Sequence, residues 1–118
     1  MPMLYKHFEL NEFVCNCGCG RNLIDEEFVF LLDRLRGVCG FPFFVTSGYR
    51  CPAHNLAVCS TSNNHVLGKA ADIVIKSDRN RFDFIKNAIG LGFWRIGVYH
   101  SFIHVDIMQK PRALWISA

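Results

Sequence analysis

The hydrophobic positions of this chain change period several times, and each change marks an element. From Phe28, apolar residues recur at Leu31, Leu32 and Leu35, the i, i+3, i+4, i+7 stripe of a helix with one buried face. Asp25 precedes the stripe and can cap it by accepting a bond from an early helical N–H. Gly37, Gly40 and Pro42 follow as stop signals. The spacing predicts a helix capped at Asp25 and running to about Arg36. Phe43 to Thr46 then reads as a short buried strand, because aromatic and β-branched residues suit a pleated surface.

From Ala70 to Lys76 the period falls to two. Ala71, Ile73 and Ile75 take one face of a predicted strand, while Asp72 and Val74 take the other. A second helix is expected after Ser77, ending near Gly90, with Phe82, Ile85 and Ile89 on its buried side. Ile96 to Tyr99 and Phe102 to Met108 read as two antiparallel strands joined at His100-Ser101. Pro111 ends the last strand, and Trp115 is expected to cover the edge of the core. Between these elements lie a lead-in segment from Phe8 to Phe13, a Cys- and Gly-rich turn from Cys15 to Gly20, and a polar turn at Ser47-Gly48-Tyr49-Arg50. Pro52 to Val58 is a short helix carrying His54, read as exposed or packing. Cys59 to Asn64 is a polar loop. The predicted fold class is α+β, a small antiparallel sheet with helices on one side.

Length adds a bound. The 118 residues, half of them hydrophobic and eleven of them Phe, suffice for one domain with a sizeable core, spanning 1–118, and not for two. The net charge of +3 is mild and its basic residues are scattered, which argues against a nucleic-acid partner. No stretch approaches the roughly 20 apolar residues of a membrane span, and Met1 to Phe13 lacks the pattern of a signal peptide. Monomeric behaviour is the expectation. Six cysteines are many for this length. Cys-x-Cys-x-Cys at Cys15, Cys17 and Cys19 is not the Cys-x2-Cys of a usual zinc knuckle, so these thiols are expected in a tight turn, free in a reducing compartment.

The chemistry concentrates at two places. His65 and Asp72 stand seven residues apart with Gly68 between them to permit a tight turn, and His104-Val105-Asp106 follows inside an apolar run. Two imidazoles and a carboxylate suit a catalytic zinc, which takes three protein ligands and leaves its fourth position open. His104 and Asp106, two apart on a strand, share a face.

Four blocks then follow in order: Thr46-Ser47-Gly48-Tyr49-Arg50, His65-x2-Gly68-x-Ala70-x-Asp72, Ile96-Gly97-Val98-Tyr99 and Phe102-Ile103-His104-Val105-Asp106. Together they resemble the D-alanyl-D-alanine carboxypeptidase family of zinc peptidases, in particular its small branch common in phage and prophage sequences. The resemblance runs from about Phe8 to Trp115. It implies a carboxypeptidase- and hedgehog-like α+β fold, with zinc held by His65, Asp72 and His104. It also implies an Arg50 that binds a carboxylate or carbonyl of the substrate. The implied reaction is hydrolysis of amide bonds in peptidoglycan stem peptides by metal-activated water, at the bacterial cell wall. Better-known members of that family carry a carboxylate three residues before the second histidine, where this chain has Ser101. Asp106 is then the candidate general base, with orientation of His104 as its other role and His100 as the other candidate. The departure at Ser101 sustains a second reading, a non-catalytic zinc-binding module that recognises wall peptide or serves in a virion.

Overall fold

A computed structural model describes residues 5–58, 60 and 62–117 of the chain. A single 3₁₀ turn, Leu10–Phe13, leads into helix α1 (Glu26–Cys39), strand β1 (Phe44–Ser47) and the short helix α2 (Pro52–Ala57). Strand β2 (Ala70–Val74), helix α3 (Asp78–Gly90) and strands β3 (Arg95–Val98), β4 (Phe102–Asp106) and β5 (Ala113–Ile116) complete the order. The strands form one sheet in the order β1-β2-β4-β3-β5.

Asp25 caps α1 as its position predicts, accepting from the N–H groups of Glu27 and Phe28. The helix runs past Gly37 and ends at Gly40, because one glycine inside a helix costs only about 1 kcal/mol. Its buried face is Phe28, Val29, Leu32 and Leu35, so Val29 displaces Leu31 toward the edge. α3 is rotated from the expected register. Phe84 and Ala88 are buried and Ile85 packs against the core as expected, whereas Phe82 and Ile89 are exposed. Two apolar stripes compete on this helix, and the one containing Phe84 wins because its ring stands 5.2 Å from that of Phe43. Full burial of such a side chain is worth roughly 1.5–3 kcal/mol.

The core fills one side of the sheet. Ala71, Ile73, Ile96, Ile103 and Val105 from the strands meet Phe28, Leu32 and Leu35 of α1 and Phe84 of α3. Strand alternation therefore sends Asp72, His104 and Asp106 to the opposite side.

Two expectations about the sheet change. β4 stops at Asp106 rather than Met108, since the Asp106 carboxylate accepts a bond from the Met108 N–H and turns the chain away. Beyond Pro111 a fifth strand forms and pairs with β3 in parallel, so the sheet is mixed rather than antiparallel. Trp115 belongs to that strand and lies on the Asp72 and His104 side, not at the edge of the core. In the expected loop from Cys59 to Asn64, Cys59 and Thr61 lie outside the described residues.

Candidate metal centre

The register of the sheet assembles one row of residues across all five strands. Ser47 is paired with Asp72, Asp72 with His104, His104 with Gly97 and Gly97 with Trp115. The next row on the same face sets Ala70 opposite Asp106 and Asp106 opposite Arg95. Antiparallel neighbours directly opposite each other have side chains about 5 Å apart, which brings an aspartate and a histidine thirty-two residues apart in sequence into contact.

His65 joins them from the turn between α2 and β2. Gly68 allows that turn: its φ is +71°, and a Cβ there would strike the Leu23 carbonyl oxygen. The Gly68 carbonyl in turn accepts from the Asp25 N–H at 2.8 Å, fastening the turn to the start of α1. His65 then reaches Asp72 with its Nε2 3.5 Å from Oδ1, and His104 Nδ1 lies 3.0 Å from the same oxygen. Both rings are buried, with centroids 5.3 Å apart.

Each ring is also held from behind. His65 Nδ1–H donates to the Gly48 carbonyl at 2.8 Å. His104 Nε2–H donates to Asp106 Oδ2 at 2.7 Å. Carbonyl and carboxylate oxygens are acceptors only, so these bonds fix the tautomers. In their neutral forms both rings then aim a bare lone pair at the Asp72 carboxylate, an arrangement that requires a cation or extra protons between them. The distances fit a metal: three donors about 2.1 Å from a tetrahedral zinc stand about 3.4 Å apart. Without metal, protons fill the role. Burial lowers the affinity of His104 for its proton, but the bonds to Asp106 and Asp72 outweigh it and raise its pKa. Burial would likewise raise the pKa of Asp72, yet hydrogen bonds and charge from His104 and His65 bring it down to about 2.

Asp106 does not stand where a general base would. Its side chain is fully buried, and both oxygens are engaged. Oδ1 accepts from Arg95 Nε at 2.9 Å and from the Met108 N–H. Oδ2 accepts from His104 and from Asn64 Nδ2 at 3.2 Å. It touches the nitrogen of His104 turned away from Asp72, on the far side of the ring from the Nδ1 that faces Asp72. Face-sharing along β4 is as expected, but the two side chains are stacked in depth rather than side by side.

An open cleft lies in front of the triad, with Arg50, Ser62, Asn64, Tyr99 and Trp115 around His65, Asp72 and His104. Arg50 bonds Ser47 Oγ at 3.0 Å and Asn55 Oδ1 at 3.1 Å, leaving its guanidinium 4.0 Å from Asp72. His100 is exposed, and its carbonyl accepts from Arg81. Among the described residues that line the cleft, Asp72 is the sole carboxylate. Several residues that shape the site escaped sequence reasoning. Asn64 links Asp106 to Lys110, Tyr99 accepts from the Trp115 indole N–H at 3.2 Å, and Arg95 lies against the Trp115 ring. A polar Asn beside His65 and an Arg opening an apolar strand were the available signals.

Two histidines and an aspartate, fixed from behind and facing an open cleft, fit a metal-dependent hydrolase. Residues 6–106 match the model of a family described as Peptidase M15. The chain belongs to that family, zinc peptidases of the D-Ala-D-Ala carboxypeptidase type. No curated protein matches it significantly.

Proposed function

We propose that this chain is a zinc peptidase that hydrolyses an amide bond in the stem peptides of peptidoglycan, acting at the bacterial wall, as a phage-borne enzyme would. The observation that carries the reading is the convergence of His65 Nε2, His104 Nδ1 and Asp72 Oδ1 beside a guanidinium at the rim of the same cleft. His65, Asp72 and His104 would hold the zinc, which when bound would supply a Lewis acid for a carbonyl and bring the pKa of water toward roughly 7.

The protein's own groups do the rest. Gly48 and Asp106 fix the tautomers of the two imidazoles and aim Nε2 of His65 and Nδ1 of His104 at the same point, which is what metal binding requires. Arg50, which lines the same cleft, would grip a stem-peptide carboxylate through two parallel N–H bonds and so fix the register of the scissile bond. Tyr99 accepts from Trp115 and so keeps its own O–H to donate to a carbonyl oxygen on which charge develops. Asp106 acts through His104 as a positioning residue.

One observation favours a second reading, a zinc-holding module that binds wall peptide without cutting it. Ser101 replaces the usual carboxylate, and no carboxylate other than Asp72 lines the described cleft. Mass spectrometry of purified muropeptides incubated with zinc-loaded protein decides between them. Products that have gained one water, absent with His104→Ala, support the peptidase. Saturable binding of the same fragments without any product establishes the module instead.

A further inference from the structure

Thirty-six residues separate Cys15 from Cys51, yet both sit buried in one small cluster with Tyr49. Cys17 and Cys19 close over them from the solvent side. The four sulfurs all lie within 4.8 Å of one another. Cys15 Sγ is 3.5 Å from Cys17 Sγ, and Cys17 Sγ is 3.7 Å from Cys51 Sγ. A tetrahedral zinc with bonds of about 2.3 Å to sulfur spaces its ligands about 3.8 Å apart. A disulfide would need about 2.05 Å, and these four thiols are free.

The turn is built to bring the three nearby thiols together. Gly18 and Gly20 take φ values of +87° and +76°, and the Cys15 N–H closes the loop on the Arg21 carbonyl at 3.0 Å. Backbone N–H groups point at the sulfurs: Cys51 N–H donates to Cys15 at 3.3 Å, Arg21 N–H to Cys19 at 3.4 Å and His54 N–H to Cys51 at 3.4 Å. A neutral thiol is a weak acceptor. Three such bonds in one cluster suit thiolates, and four thiolates crowded together suit a thiophilic divalent cation.

We propose that Cys15, Cys17, Cys19 and Cys51 bind a second, structural zinc ion, distinct from the one expected at His65, Asp72 and His104. Binding is a simple exchange, in which the cation enters, thiol protons leave to solvent and nothing is oxidised. With all four positions taken by sulfur the site is closed to water and substrate, the mark of a structural site. Its placement gives it a task. It clamps the Cys15–Gly20 turn to the residue that follows Arg50, within three residues of the Gly48 carbonyl that holds His65. The segment carrying the cleft's cation and one histidine support is thereby fixed. The proposal stands whether or not the chain cleaves peptide.

The test is metal stoichiometry together with cobalt substitution of the full chain. Wild type should carry two zinc ions and, loaded with Co²⁺, show the intense near-ultraviolet charge-transfer absorption of cobalt–thiolate bonds. His104→Ala should keep one ion and the absorption. The double variant Cys17→Ser/Cys19→Ser, altered only at exposed positions, should keep one ion and lose the absorption. On wild type itself, titration with a thiol-specific mercurial should release one zinc and leave the other. A wild-type chain with one ion and no charge-transfer band overturns the proposal. So does chain purified under reducing conditions in which the four sulfurs are found as two disulfides.

Discussion

Trp115 crosses Gly97 so closely that a Cβ at position 97 would sit 2.5 Å from the indole. The indole uses that space to reach His104, ring centroid to ring centroid 5.4 Å, and so forms one wall of the cleft. A methyl group at 97 is therefore expected to push the indole off the histidine. Gly97→Ala should change Trp115 fluorescence and near-ultraviolet circular dichroism, and cost about 1–3 kcal/mol of stability, the range for an overpacked site. Unaltered Trp115 spectra with an unchanged Tm would mean that the ring is free to swing aside.

Asp106 separates a positioning role from a proton-transfer role. Asp106→Asn removes the charge that faces His104 and Arg95, so zinc affinity should weaken by about 10- to 100-fold. Turnover measured at full zinc occupancy should stay within a few-fold of wild type. A general base would instead lose roughly 10²- to 10⁴-fold in rate at full occupancy, and that result would return Asp106 to the chemistry.

Arg50→Ala is expected to lower kcat/KM on stem peptides by on the order of 30- to 150-fold, the worth of a two-pronged bond to a charged group, about 2–3 kcal/mol. Zinc content should not change. Arg50→Lys keeps the charge and loses the fork, so it should fall between the two. Equal activity of all three proteins would leave Arg50 as a residue that only fastens Ser47 to Asn55.

The turn carrying His65 is tied to α1 by Lys69, whose Nζ lies 2.7 Å from Asp25 Oδ2. Burial would raise the pKa of Asp25, but the Lys69 bond and the helix N–H groups outweigh it and lower it from 3.8. A lowered carboxylate pKa stabilises the fold above about pH 3.8 and stops doing so as pH falls through the folded value. Wild type should therefore exceed Lys69→Met in stability at pH 7, by up to about 1 kcal/mol for so exposed a pair. The gap should close as pH falls from 3.8 through the folded value. Parallel stability curves for the two proteins across that range would show that the pair contributes nothing.

How much of this was legible in the chain follows from the range of the forces involved. Local patterns determined the elements. The Phe28 to Leu35 stripe with Asp25 before it gives α1, and the alternation from Ala71 to Ile75 gives β2, because caps and periodicity act within a few residues. The three candidate metal ligands could also be named, since Gly68 lets the chain turn between His65 and Asp72 on β2, His104 lies on a strand of clear parity, and the family resemblance singles out the same three positions.

Tertiary structure decided what depends on depth and partner. The stripe that α3 buries depended on Phe43 waiting across the core, and both helical stripes look alike in sequence. Asp106 shares a face with His104, but only the approach of Arg95, Asn64 and the Met108 N–H places it behind the ring. β5 follows a proline and has no period long enough to announce itself. It exists because β3 offers a free edge and Gly97 leaves room for Trp115. The meeting of Cys51 with a turn thirty-six residues earlier has no local signature at all, because spacing along the chain says nothing of contacts made by folding.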